Sequence, residues 1–171
     1  MTAFVTAGAG FLLAVLWFDL MFDVQVLAHR GELPREVLES ISGYYRRVTT
    51  SARPMNRLVG AVMLAAVASI CLQLARGDAP AWVGGASLVL AVSPIALAAV
   101  HTLPAAVRLG AAAGAGAAAG AGAAAGAGAV PGAGGDGRES ASRTARAICR
   151  DHLFCLAAVA SLIVVQLGFG R

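Results

Sequence analysis

The chain contains no lysine, and only 13% of its residues are charged, about half the share of a soluble globular protein. So little charge leaves too few polar side chains to cover a soluble fold of this size. Paired cysteines are missing as well. Cys71, Cys149 and Cys155 form no CxxC, which excludes zinc ribbons and disulfide scaffolds and makes reduced thiols the expectation. No HExxH, no haem-attachment CxxCH, no G-x-S-x-G elbow and no P-loop occurs, so the common signatures of metalloproteases, cytochromes c, serine hydrolases and nucleotidases are absent. The N-terminal Met1-Thr2-Ala3-Phe4 carries no basic residue, so the apolar block that follows reads as a retained helix instead of a cleaved signal peptide.

What is abundant is apolar sequence in long blocks: 58% of the 171 residues are hydrophobic. Four blocks are long enough to cross about 30 Å of hydrocarbon at 1.5 Å per residue. They run over about residues 4–27, 55–75, 81–103 and 148–168. The expected fold is an all-α membrane protein, a bundle of four transmembrane helices in one domain covering residues 1–171. Pro54 sits at the favoured start of the second span. Ser93-Pro94 should bend the third, because proline removes one backbone donor, and Pro104 should close it.

Arginine sets the orientation. Arg30, Arg35, Arg46, Arg47, Arg53 and Arg57 cluster around the first loop, and Arg108, Arg138, Arg143, Arg146 and Arg150 around the third. Only Arg76 and Arg171 lie elsewhere. The positive-inside rule then puts the first and third loops in the cytoplasm and both termini outside, in a multi-pass protein of the plasma (inner) membrane. Because the arginines are confined to loops between spans, nucleic acid is not an expected partner. The lipid bilayer is, with Arg46, Arg47, Arg53 and Arg57 placed to meet lipid headgroups. Small-residue ladders, Ala61/Ala65/Ser69 and Ala7/Gly10/Ala14, favour close helix packing, within this chain, in a homo-oligomer or in a larger membrane complex.

The two long loops differ in character. Residues 34–48 space Val37, Leu38, Ile41, Tyr44, Tyr45 and Val48 on one helical face. That is an amphipathic helix, lying on the membrane surface or packed under the bundle. Residues 110–142 are dominated by Gly-Ala repeats, expected to form a flexible linker and to stay disordered through Arg138–Ser142. The repeats are too rich in glycine and too poor in large apolar side chains to serve as a fifth span.

Two groups of residues could carry chemistry. Asp19 and Asp23 lie four apart in WFDLMFDVQ, which puts both carboxylates on one face of the first helix. A charge at the bilayer centre costs ~2.5–3.5 kcal/mol on insertion scales, so such acids mark ligand or proton sites by default. The structural alternative pairs Asp23 with an arginine and uses Asp19 as an acceptor between helices. His29, His101 and His152 all fall at the cytoplasmic ends of spans, where they could meet Asp23 and Asp151 around one polar mouth. Imidazoles and carboxylates together suit a transition metal, haem or a proton relay. Cys149, His152 and Cys155 spread over too wide an arc of one helix to bind a single metal unaided.

In span order the chain resembles the small four-helix membrane proteins grouped with the anthrone oxygenases, through its long basic first loop with aromatic residues and its basic entry to the last helix. It also looks like small multidrug exporters, which have four helices and an acid in the first. Neither resemblance carries a residue-level motif across. The expected function is therefore a binding or accessory membrane protein with a polar Asp/His site toward the cytoplasm. A small membrane oxidoreductase or metal or haem enzyme is one alternative. A proton- or cation-coupled carrier working as an oligomer through Asp19 is the other.

Overall fold

The computed structural model describes residues 1–112 and 135–170. Most of the Gly-Ala tract expected to act as a linker lies outside these residues. Among the described residues four helices are long and apolar enough to cross a membrane, and the protein is an all-α, multi-pass membrane bundle.

Helix α1 (Thr2–Asp23) runs on through a 3₁₀ segment, Val24–Ala28, to a short loop. Helix α2 (Arg35–Thr50) starts after Pro34 and carries Glu36 in its first turn and Arg47 in its last, each favourable to the helix dipole. Helix α3 (Arg53–Arg76) has Pro54 at its start. It stops at Gly77, whose φ of 67° is open to glycine without a steric penalty. There the Gly77 N–H donates to Leu74 O and the Asp78 N–H to Gln73 O, the paired bonds of a Schellman stop. Helix α4 (Ala81–Leu97) follows directly, and Gly77–Pro80 is all that separates the two spans.

Proline shapes the rest of the third span. Pro94 sits inside α4, and the regular bonding gives way to a π turn at Ala98–Thr102. The span does not end at Pro104, as the sequence suggested. The apolar helix continues to Ala112. A π turn widens the helix just where the Pro104 ring would meet the carbonyl four residues back.

The fourth span needs the larger correction. Helix α5 runs from Gly135 to Phe169, 35 residues, or about 52 Å at 1.5 Å per residue. Arg138–Ser142, expected to be disordered, is helical. Ser142, Ala145, Ile148 and Cys149 are buried there, so the segment has a packing face, built largely from small residues. It also holds the first loop in place. Ser142 Oγ accepts from the Leu33 N–H at 3.1 Å, and Arg146 donates to His29 O at 3.2 Å.

The spans form a ring in which α1 packs on α3 and α5, and α4 packs on the same two helices. Ring neighbours run antiparallel, an up-down-up-down bundle. Helix α2 folds back across one end, with Ile41 and Tyr45 buried beside Leu20, Ala105, Leu109 and Ile148. The amphipathic face read from the sequence is therefore spent on protein. At the opposite end Thr2 meets Gly170, and Trp82 stacks edge-on against Phe169.

Candidate functional site

The polar residues of the α2 end sort into two clusters. Asp19 and Asp23 share a face of α1 one turn apart, and α2 places its adjacent tyrosines against them. Tyr44 Oη donates to Asp19 Oδ1 at 2.5 Å, and Tyr45 Oη donates to Asp23 Oδ1 at 2.7 Å. Asp23 is fully buried, and its second oxygen receives His152 Nδ1 from α5 at 2.5 Å. One carboxylate thus joins α1, α2 and α5. Its partners are a phenol and an imidazole, where the structural alternative had an arginine. Phe22 stacks on Tyr44 with ring centroids 4.1 Å apart, which fixes the second phenol over the helix.

Burial raises the Tyr44 and Tyr45 hydroxyls well above the ordinary phenol range. The hydrogen bond to Asp19 adds to this at Tyr44, and the charge of Asp23 adds to it at Tyr45. Both phenols therefore stay protonated and donating across the physiological range.

The second cluster sits one residue away on α5. Asp151 Oδ2 accepts from His101 Nδ1 at 2.6 Å and from Thr102 Oγ1 at 2.9 Å. Consecutive helical residues normally point about 100° apart. Both residues lie in the π turn at Ala98–Thr102, where the bonding departs from the regular helix. His101 is half-exposed.

The three histidines share an end of the bundle but do not converge. His29 Nδ1 bonds Gln25 O on its own segment at 3.1 Å, while His101 and His152 are held by different aspartates. Among the described residues, no group of three or more His, Cys, Asp or Glu side chains is arranged to hold a metal. Cys149 and Cys155 are buried, and Cys155 Sγ points to Pro94 O at 3.9 Å.

A cavity of about 220 Å³ lies inside the ring. Its walls are apolar, among them Leu12, Met63, Ile95 and Val159, and its polar end is formed by Asp19, Tyr45, Thr49, Thr102 and His152.

The segment 1–114, which contains α1 to α4, matches the model of the SHR3 chaperone family, described as ER membrane protein SH3. The chain belongs to that family. No curated protein and no solved structure matches it significantly. The family is neither of the two groups whose span order the sequence resembles.

Sequence reasoning found Asp19, Asp23, His101, Asp151 and His152 but missed their partners. Tyr44 and Tyr45 were read only as part of an amphipathic face, although their i, i+1 placement opposite an i, i+4 pair of acids was visible. It also missed a second polar group at the terminal end. Gln166 Nε2 donates to Ser87 Oγ at 2.8 Å and to Gln73 Oε1 at 3.2 Å, with all three residues fully buried. Two glutamines and a serine inside otherwise apolar spans were the available signal. The arginines expected at headgroups are exposed at positions 46, 47 and 57. The side chain of Arg53 lies outside the described residues.

Proposed function

We propose that this protein is a chaperone-type accessory factor of the ER membrane, acting on other membrane proteins and not as an enzyme on a soluble substrate. The family match over residues 1–114 carries this reading. It covers three of the four spans together with α2, so it includes the two tyrosines and both acids of the latch. The family's description names the ER membrane, so that membrane replaces the plasma (inner) membrane expected from composition.

The geometry supports such a role. The Tyr–Asp–His latch ties α2 to α1 and α5, so the α2 end is a fixed platform. Its outward face carries Arg46 and Arg47, with Arg57 on the adjoining end of α3. By the positive-inside rule this end is cytoplasmic, with both termini on the other side. There the arginines suit anionic lipid headgroups or a client's acidic juxtamembrane segments. The latch residues act as structural supports in this reading.

The test is a comparison of membrane proteomes with and without the protein, alongside purification of the tagged chain in mild detergent. A defined set of polytopic proteins should fall in abundance at unchanged message level, and members of that set should co-purify. An unchanged membrane proteome would defeat the proposal. Reporter fusions should show Tyr45 and Arg138 cytoplasmic and the C-terminus on the opposite side, and a cytoplasmic C-terminus would overturn the orientation.

A further inference from the structure

The cavity has a chemical preference that follows from counting its hydrogen bonds. Every hydroxyl donor at its polar end is already committed. Tyr45 gives its proton to Asp23, Thr49 to the Tyr45 carbonyl at 2.7 Å, and Thr102 to Asp151. Tyr44, behind Asp19, is committed to Oδ1 of that residue. What remains is an acceptor on Asp19 and an imidazole nitrogen on His152 whose role follows the charge of the ring. Asp19 uses one carboxylate oxygen for Tyr44, and His152 uses Nδ1 for Asp23, which leaves Asp19 Oδ2 and His152 Nε2 without a protein partner among the described residues. Neither atom is sealed from access, since the only enclosed side-chain polar atom without a partner among the described residues is Gln166 Oε1.

The walls give the other half of the recognition. About 220 Å³ exceeds the roughly 150 Å³ that an apolar protein cavity needs to hold a benzene ring. A ring or a short alkyl chain fits. The way in is marked by α3. Among its described side chains the buried ones are Ala66, Ile70 and Gln73, all in the half near the terminal end. Before Ala66 no described side chain of the helix is buried, and Val59 and Met63, which line the cavity, are half-exposed. The cavity therefore communicates with the lipid phase beside the first half of α3.

We propose that the bundle interior binds a small membrane-partitioning amphiphile: an apolar body bearing one hydrogen-bond donor, an amine or a hydroxyl, which docks on Asp19 Oδ2. A carboxylate-ended molecule of the same length is excluded, because it would meet the Asp19 carboxylate where every hydroxyl is already committed. This site is independent of the chaperone reading, which requires only the outer surface of the bundle.

The probes are octylamine, octanol and octanoate, added to the full-length protein in nanodiscs and followed by thermal unfolding. The amine and the alcohol should raise Tm saturably, and octanoate should not. Ala98→Leu, which fills the cavity from α4, should abolish the response. Asp19→Asn should weaken the amine at least tenfold and the alcohol less than threefold, since the amide still accepts but no longer pairs with an ammonium. An equal response to all three probes, or an undiminished response in Ala98→Leu, would reveal a bilayer effect and refute the site. Should Ala98→Leu fail to fold, a diazirine-tailed octylamine on the unaltered protein decides. Labels on Leu12, Met63 or Ile95, displaced by excess octylamine, support the site. Labels confined to lipid-facing residues overturn it.

Discussion

The two ends of this bundle solve the same problem, polar side chains inside a membrane protein, in opposite ways. At the terminal end the solution is neutral: two glutamines and a serine, all fully buried, bond one another across α3, α4 and α5. At the α2 end it is ionisable. Asp19 and Asp23 each take a phenol from a helix that folds back from outside the spans, and Asp23 also takes the His152 imidazole from α5. Neutral amides can meet within the ring itself, whereas carboxylates require extra donors brought to them. The difference explains why the first loop is long and ordered while Gly77–Pro80 suffices to join α3 to α4.

The strongest way to break the comparison is at Asp23. Asp23→Leu leaves the Tyr45 hydroxyl and His152 Nδ1 buried without their acceptor, and should cost about 3–5 kcal/mol, read as loss of detergent-resistant folding. Gly110→Ala should come next. A Cβ there would stand 2.9 Å from the backbone nitrogen of Arg46, so α2 must lift, at about 1–3 kcal/mol. Hydrogen exchange should show the opening confined to α2. Gly84→Ala at the opposite end meets only the Leu74 side chain, which can repack, so its effect should be smaller.

Tyr45→Phe removes one donor and should cost about 1–2 kcal/mol at neutral pH. Because the folded phenol is raised above its unfolded value, its stabilisation is present below about pH 10 and is lost as pH rises, when the unfolded chain ionises first. The gap between Tyr45→Phe and the natural protein should therefore narrow above that pH. Gln166→Leu should cost a similar or smaller amount, about 1 kcal/mol, since it strands Ser87 and Gln73 but also removes an oxygen that has no partner. The mildest change should be Asp19→Asn, below about 1 kcal/mol, because the amide oxygen still accepts from Tyr44. A loss as large as that of Asp23→Leu would mean that the two acids are equivalent and the distinction between them wrong.

The sequence made the spans legible because lipid demands long apolar blocks, and it made α1 legible as the carrier of two acids on one face. It concealed what small residues do. The start of α5 packs through Ala141, Ser142 and Ala145, a stripe too weakly apolar to stand out among arginines and serines. The continuation of the third span was hidden by Pro104, whose usual meaning is cancelled by the π turn before it. The three histidines lie at one end of the bundle without converging. Their separation turns on side-chain direction around α5, where Asp151 and His152 point to different neighbours, and spacing along the chain does not report that.

Asp23 and its imidazole partner are 129 residues apart in the chain, and the first and last spans share the largest interface in the ring. At about 5–20 residues per second of synthesis, α1 waits on the order of ten seconds before His152 has been made. Throughout that interval the nascent first helix carries an acid whose permanent partner does not yet exist. It must be held at the interface, shielded by α2 alone or sheltered by the insertion machinery until α5 arrives. Ring closure must wait for α5, so a ribosome stalled before the fourth span should leave a chain that is inserted, unclosed and open to degradation.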